Sequence, residues 1–429
     1  MNTTYVRGTV NGARVHVLTT DRFKTDSIAV YIGFPLRPET VTPTALTPFV
    51  LRRGTTLHPD MKSLREKLDD LYGAGFGFDL FKRGHYQIAQ FRMDVIRSRF
   101  ASESRHLLAE AIAYLGQLIT RPALENGVFR EHYVEAEKKT LEKRLESVIN
   151  DKARYAAERC VEEMYRGEPY ALSPLGKRED LASIDASSLY AHYLRWLEEA
   201  MIDIYIVGET SADEASRLVE EHFRWNRPGC GAYIAVEPSA GRNGGVHEVT
   251  ERMDVSQGKL HLGYRTPVTY GSPDYPAALM FNGIFGAYPH SKLFLNVREK
   301  ASLAYYAHSR LDGHIGMMSV QSGIDPRNYE RALGIIQDQI DAMKRGDFSD
   351  LEWNQTRAMI ANQLRETGDS PFQLISFDFN NVLSGSERTP ERLIDELMRA
   401  NREDVMRVAG GVTLDTVYFL RGFEEGAAK

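Results

Sequence analysis

Strand-like patterning opens the chain, with segments at Arg14 to Thr19 and Ser27 to Phe34 rich in branched and aromatic residues. Helical periodicity follows at Pro43 to Arg53 and at Met61 to Tyr72. Two further strand-like runs, Gly75 to Lys82 and His85 to Asp94, meet at Arg83-Gly84 as a hairpin. Ala101 to Thr120 predicts a helix. So does the longer stretch from Phe129 to Tyr165, where Tyr133, Ala136, Leu141, Leu145 and Val148 form an apolar stripe among many charges. A capping signal at Asp185 starts a helix running to Glu199. A strand at Ile202 to Gly208 and a helix at Ala212 to Phe223 complete this half.

The same order then repeats. Strands are expected at Val246 to Glu251 and Gly258 to Tyr264, helices at Tyr275 to Phe285 and Ser291 to Lys300, and a hairpin turning at Asp312-Gly313. Helices at Arg327 to Arg345 and Asp350 to Thr367, further helix to Ala409 and a strand at Thr416 to Arg421 follow. Between the halves, the window Asn226 to Gly245 holds Pro228, Gly229, Gly231, Pro238, Gly241, Gly244 and Gly245, the composition of a linker. The expected organisation is therefore a domain at 1–225, a linker at 226–245 and a duplicated domain at 246–429.

Composition adds exclusions. The chain has 429 residues, 42% of them hydrophobic, enough for two or three cores. A net charge of −6 without a basic stripe argues against nucleic acid. No signal-peptide pattern and no apolar run of about 18 residues is present, so a cytoplasmic protein without a membrane span is expected. Two cysteines, Cys160 and Cys230, are too few for a disulfide scaffold or a zinc ribbon.

The most informative stretch begins at Ile284. Ser291 can cap a helix whose Leu293, Phe294 and Val297 share a buried stripe, and a strand resumes at Leu303. This places Arg298 near a helix end and Tyr305 across the turn, early in a strand. A guanidinium and a phenol there can converge on a peptide carbonyl and stabilise the charge that develops on its oxygen. Spacing alone equally allows an arginine that caps a helix and a tyrosine that packs in a sheet.

The run Ser291-Lys-Leu-Phe294, Val297-Arg-Glu-Lys300 and Leu303-Ala-Tyr305 closely resembles the C-terminal half of the pitrilysin and insulinase family of zinc peptidases, which includes the mitochondrial processing peptidases. The resemblance implies that Arg298 and Tyr305 are that family's arginine and tyrosine pair. Superposing the hairpin glycines Gly84 and Gly313 sets Asp69 opposite Arg298 and Phe76 opposite Tyr305. The repeated scaffold therefore does not require Arg or Tyr at these places.

In that family the N-terminal half carries His-x-x-Glu-His before a Gly-Thr turn, two histidines facing one zinc and a glutamate activating its water, with a distal glutamate on a later helix. Counting back from Gly54-Thr55, the motif positions here are Ala45, Pro48 and Phe49, and the distal pair falls on Glu137 and Arg144. No donor remains at Ala45, Pro48, Phe49 or Arg144. No histidine pair at i, i+4 replaces them, and His132-Tyr-Val-Glu135 leads only to Ala136. No nucleophile elbow or phosphate-binding loop offers a different chemistry.

The resemblance spans nearly the whole chain, and implies an α+β fold of two homologous halves, each a mainly antiparallel sheet with helices packed on one face. Leu51-Arg-Arg-Gly-Thr55 and Leu68-Asp-Asp-Leu-Tyr-Gly-Ala74 look most like a bacterial zinc-less subgroup, some of whose members carry labels tying them to elongation factor P modification. The leading expectation is a peptide-binding subunit of a heterodimeric metallopeptidase, with zinc only in a paralogous partner. The alternative is a non-catalytic structural or peptide-binding scaffold.

Overall fold

The computed structural model describes residues 4–101, 105–225, 227, 229, 231–238 and 245–423. Cys230 and the linker positions Asn226, Pro228, Gly241 and Gly244 lie outside the described residues. By its internal contacts the chain divides into two units. Unit 1 holds Met1–Glu146, Leu172–Tyr233 and Ser370–Ser376, and unit 2 holds Ser147–Ala171, Ile234–Asp369 and Phe377–Lys429. The window 226–245 contains one crossover, while 147–171 and 370–376 each group with the unit farther from them in sequence.

Unit 1 begins with β1 (Val6–Val10) and β2 (Ala13–Thr19), joined by Asn11 and Gly12. Both turn residues have positive φ (50° and 76°), the geometry a two-residue hairpin demands. Next come β3 (Thr25–Pro35), α1 (Val41–Leu51), α2 (Met61–Asp70), β4 (Gly75–Arg83), β5 (Tyr86–Ile96) and α3 (Leu107–Thr120). A two-strand ladder, β6 (Leu124–Glu125) with β7 (Val128–Phe129), precedes α4 (Glu131–Asn150) and α5 (Lys152–Met164), of which α5 and the end of α4 group with unit 2. α6 (Ala186–Glu199), β8 (Met201–Gly208) and α7 (Ala212–His222) complete the first half.

The expected single helix from 129 to 165 is two helices. The chain leaves helical geometry at Asp151 (φ −81°, ψ 90°), whose carboxylate accepts the Arg154 amide at 3.1 Å and caps α5. An Asn-Asp pair that favours capping over helix interior accounts for the break.

Unit 2 contains β9 (His247–Arg252), β10 (Gly258–Arg265), α8 (Tyr275–Asn282), β11 (Ala304–Asp312), β12 (Met317–Ile324), α9 (Tyr329–Arg345), α10 (Asp350–Glu366), α11 (Pro371–Ser384, whose first residues group with unit 1), α12 (Pro390–Arg399), α13 (Arg402–Gly410) and β13 (Thr413–Arg421). Its sheet runs β9-β13-β10-β12-β11, and that of unit 1 runs β1-β2-β8-β3-β5-β4. The orders match strand for strand once β1 is set aside. The only parallel pairs among the described strands, β2 with β8 and β9 with β13, occupy corresponding places. The two halves are duplicates.

One face of the unit 2 sheet carries a helical core. In unit 2, Leu260, Leu262 and Tyr264 of β10 and Val417 and Phe419 of β13 pack with Phe281, Ile336 and Ile340. The opposite face of that sheet is covered by α5, whose Ala156 and Cys160 bury against Tyr418 and Leu420. Gly263 admits Met164 there: a Cβ would sit 2.6 Å from its sulfur. The Cys160 thiol is pushed up to about 12, by burial first and then by Asp415 and Glu163, so it stays protonated and unreactive.

Two buried histidines make the fold acid-sensitive. His192 is held down at about 4 by burial and then Arg195, and His261 at about 3 by burial and then His308 and Lys259. In the unfolded chain each would titrate near ~6.5, so as the pH falls the unfolded state takes up protons first. Stability is therefore lost from about pH 6.5 toward pH 4, by up to ~1.4 kcal/mol per pH unit for each histidine. Denaturant midpoints measured across that range should fall steadily, and His192→Gln should flatten the dependence. An unchanged slope would remove His192 from this account.

Candidate functional site

Every residue of α1 except Pro43 is buried, so its polar groups must find partners inside the protein. Thr42 donates to Asp180 (2.6 Å) and accepts from the Lys177 amide (3.0 Å), Thr44 pairs with His192 Nε2 (2.9 Å), and Thr47 bonds back to the Pro43 carbonyl (2.8 Å). Pro48 lies inside the helix and has no amide to donate to the preceding turn. Ala45 and Phe49 are fully buried. Gly54 then turns the chain against Pro59, whose carbonyl oxygen would stand 2.5 Å from an added Cβ.

The structure brings Phe49 and Arg144 together. The Arg144 guanidinium of α4 lies 4.7 Å from the Phe49 ring centre, and Arg52 lies 5.5 Å from the same ring. Phe78 of β4 meets Phe49 edge-on at 5.0 Å and in turn contacts Phe91 of β5. Two turns before Arg144, Glu137 is fully buried, bonded by Arg53 Nε at 2.5 Å and approached by Arg52 at 3.5 Å. A methyl, a pyrrolidine, a phenyl ring and a guanidinium cannot ligate zinc, and arginines surround the one buried carboxylate. The residues present do not fit the metal. Among the described residues no group of three or more His, Cys, Asp or Glu is arranged to hold an ion. Dialysed protein is expected to retain no stoichiometric zinc by metal analysis, and about one tightly held zinc per chain would overturn this.

The second constellation lies wholly in unit 2. α8 continues into a π-helical turn at Gly283–Ala287, and a further π-helical stretch spans Phe294–Lys300. Such widened turns recur at functional sites. Close packing fixes the first: a Cβ on Gly283 would meet Thr356, and one on Gly286 would meet Ser309 and Leu293. Ser291 caps as expected, its hydroxyl accepting the Phe294 amide at 3.4 Å. Leu293 and Val297 are buried, whereas Phe294 is half-buried and serves as a platform for Arg298, whose guanidinium lies 4.5 Å from its centre. Arg298 is 41% exposed and lies 3.7 Å from Glu299.

After a turn with Ser302 at φ 53°, Tyr305 falls at a bulge in β11, between Ala304 and Tyr306, on the outermost strand of the sheet. It is 73% exposed. Its counterpart by the hairpin superposition, Phe76 of β4, is half-buried and contacts Tyr114 at 5.7 Å. Arg298 and Tyr305 occupy consecutive elements and both reach solvent, and no hydrogen bond joins their side chains among the described residues. Three other histidines have ordinary surroundings: His290 bonds Thr356 (2.9 Å), His314 bonds Asn380 (3.0 Å), and His132 lies against Tyr133 with the two rings tilted by 53°. Sequence reading missed the partners of Phe49 and Glu137. The Arg52-Arg53 pair closing an apolar helix was the available signal.

Residues 183–360 match the family described as Peptidase M16 inactive domain. A Bacillus subtilis protein named probable inactive metalloprotease YmfF is 38% identical over 413 residues, covering 96% of each chain. The chain belongs to the pitrilysin, or M16, peptidase family. The crystal structure of a conserved protein from Enterococcus faecalis superposes on this M16 chain with a TM-score of 0.92 at 32% identity, covering 98% of this chain and 99% of that one. The M16 inactive-domain structure from Pseudomonas fluorescens, at 16% identity, shares the fold with a TM-score of 0.80 and 99% coverage of both chains. Within M16 this chain is a zinc-less member. None of its described helices is long and apolar enough to cross a membrane.

Proposed function

We propose that this chain is the peptide-binding, zinc-less subunit of a heterodimeric M16 metallopeptidase, and that Arg298 and Tyr305 act in trans on a peptide hydrolysed by a zinc-bearing paralogous partner. One contrast carries the reading. At the positions where the family resemblance places the metal, the chain packs rings and guanidiniums, while the arginine and tyrosine remain exposed although the duplicated scaffold does without them. Arg298 offers a forked donor and Tyr305 a single hydroxyl. Both suit the carbonyl of an extended peptide and the oxyanion that replaces it during hydrolysis. The partner supplies the activated water, and this chain contributes no step through a metal of its own.

A scaffold role is the second reading. The stacking of Arg298 on Phe294 favours it, because that contact also suits an arginine that merely closes a helix. The two readings separate on co-expression with an M16 chain from the same genome that retains the zinc motif. The first expects one complex on size exclusion and cleavage of unfolded peptide by the pair but by neither chain alone. Full cleavage by the zinc-bearing chain alone, undiminished when this chain is absent, would leave only the scaffold.

A further inference from the structure

On α6, Tyr190, Leu194 and Glu198 recur every four residues, so they share one face of the helix. That face lines a cavity of about 420 Å³ in unit 1, together with Arg121 just after α3 and with Arg224 and Trp225 just after α7. Aromatic walls with a few polar groups, at this size, are those of a small-molecule site. The walls are held in place. Tyr190 stacks on Tyr193 at 5.7 Å and meets Phe129 edge-on, while Trp225 packs on Phe223 at 5.1 Å with the Arg227 guanidinium 5.9 Å from its ring. Leu194 is 50% exposed, an apolar surface that a bound molecule would cover. The polar groups are unspent. Among the described residues the Arg121 guanidinium and the Glu198 carboxylate form no hydrogen bond or ion pair, with each other or with any neighbour. Arg224 donates only from Nε, to the Glu221 carbonyl at 3.3 Å. The two arginines act on one imidazole, His222, which burial first and then these cations, against Glu221, hold below its ordinary value. The indole N–H of Trp225 is buried with no acceptor, so a ligand can complete its hydrogen bond.

We propose that this cavity binds a free amino acid with an aromatic side chain. Opposite charges that line one cavity without meeting are bridged best by a molecule that carries both. The ligand carboxylate takes the Arg121 fork, with Arg224 and the Trp225 N–H as further donors. Its ammonium takes Glu198, and its ring lies among Tyr190, Leu194 and Trp225. A peptide terminus would keep only one of the two charges beside its side chain, and a purely anionic ligand would set like charge against Glu198. The proposal is independent of the peptide-binding reading above and uses none of its residues.

The test is isothermal titration calorimetry of the intact chain with L-phenylalanine, its C-terminal amide, its N-acetyl derivative and L-alanine. L-phenylalanine should bind about tenfold more tightly than each of the others, because each lacks one of the three recognised features. Arg121→Gln should weaken L-phenylalanine by about three- to tenfold and leave the amide unchanged, since the amide has no carboxylate to lose. Glu198→Gln should likewise weaken L-phenylalanine and leave the N-acetyl derivative unchanged. Trp225→Phe keeps an aromatic wall without the N–H and should cost about three- to tenfold. Glu198 is exposed and Arg121 half-buried, so the thermal melt of both variants should stay in place. Equal binding of the amide or of the N-acetyl derivative would mean that one charge is not recognised, and equal binding of L-alanine that the ring is not; each would overturn the proposal. So would the absence of saturable L-phenylalanine binding at about 10 mM. Full affinity retained in both Arg121→Gln and Glu198→Gln would place the ligand elsewhere and overturn this site.

Discussion

Tyr305→Phe is expected to slow peptide cleavage by the assembled pair by about a hundredfold to a thousandfold, the usual cost of removing one preorganised donor to a developing oxyanion. The substitution is clean because the side chain is 73% exposed at a bulge on an outer strand, so deleting the hydroxyl leaves folding and packing untouched. The loss should appear in kcat more than in KM, since the donor counts most when charge accumulates on the carbonyl oxygen. Arg298→Ala should be comparable in rate but less clean, because it also removes the guanidinium from the Phe294 ring. Arg298→Lys retains the charge without the fork and should recover only part of the loss. The complex should elute unchanged on size exclusion in every case. Unaltered turnover in both Tyr305→Phe and Arg298→Ala would end the catalytic role and leave the scaffold reading.

What the sequence disclosed and what it hid divide along physical lines. Local patterning placed β3, the β4-β5 hairpin and α10 within a few residues of their observed bounds, because a continuous apolar run marks a strand buried on both faces, as in β3, and buried positions at helical spacing mark α10. β1 was missed although Asn11-Gly12 is a hairpin signal, because the strand's own residues are mostly exposed and show no buried face. The π-helical turns could not be read at all. The first lies where Gly283 and Gly286 let Thr356 and Ser309 approach, contacts between residues far apart in the chain. α5 likewise looked like a continuation of α4, yet its apolar side is matched to Tyr418 and Leu420, more than two hundred residues away. At the site, counting from Gly54-Thr55 gave Phe49 and the family's distal segment gave Arg144, and in the structure the Arg144 guanidinium lies against the Phe49 ring. The count carried no sign of Phe78, which lies on a strand outside the motif, and although Arg52 and Arg53 stand inside the counted run, nothing local showed that they meet Glu137.

Glu137→Ala should destabilise unit 1 by about 3 kcal/mol, because removing one member of a buried ion pair leaves its partners with uncompensated charge. Glu137 is fully buried, and Arg53 and Arg52 keep only about a quarter to a third of their side chains exposed, so water can relieve them only in part. That partial exposure sets the expectation at the low end of the usual range for broken buried pairs. Glu137→Gln, which keeps the shape and loses the charge, should cost most of the same amount. Replacing Glu137 and both arginines together by apolar residues of similar volume should recover much of it, because then no charge is left buried. The measurement needs a probe confined to unit 1, since a chain of two units need not unfold in one step. Trp196 and Trp225 belong to unit 1 and Trp353 to unit 2, so a Trp353→Phe background makes tryptophan fluorescence report on unit 1 alone. A denaturation midpoint unmoved by Glu137→Ala would show that the arginines are solvated without their carboxylate.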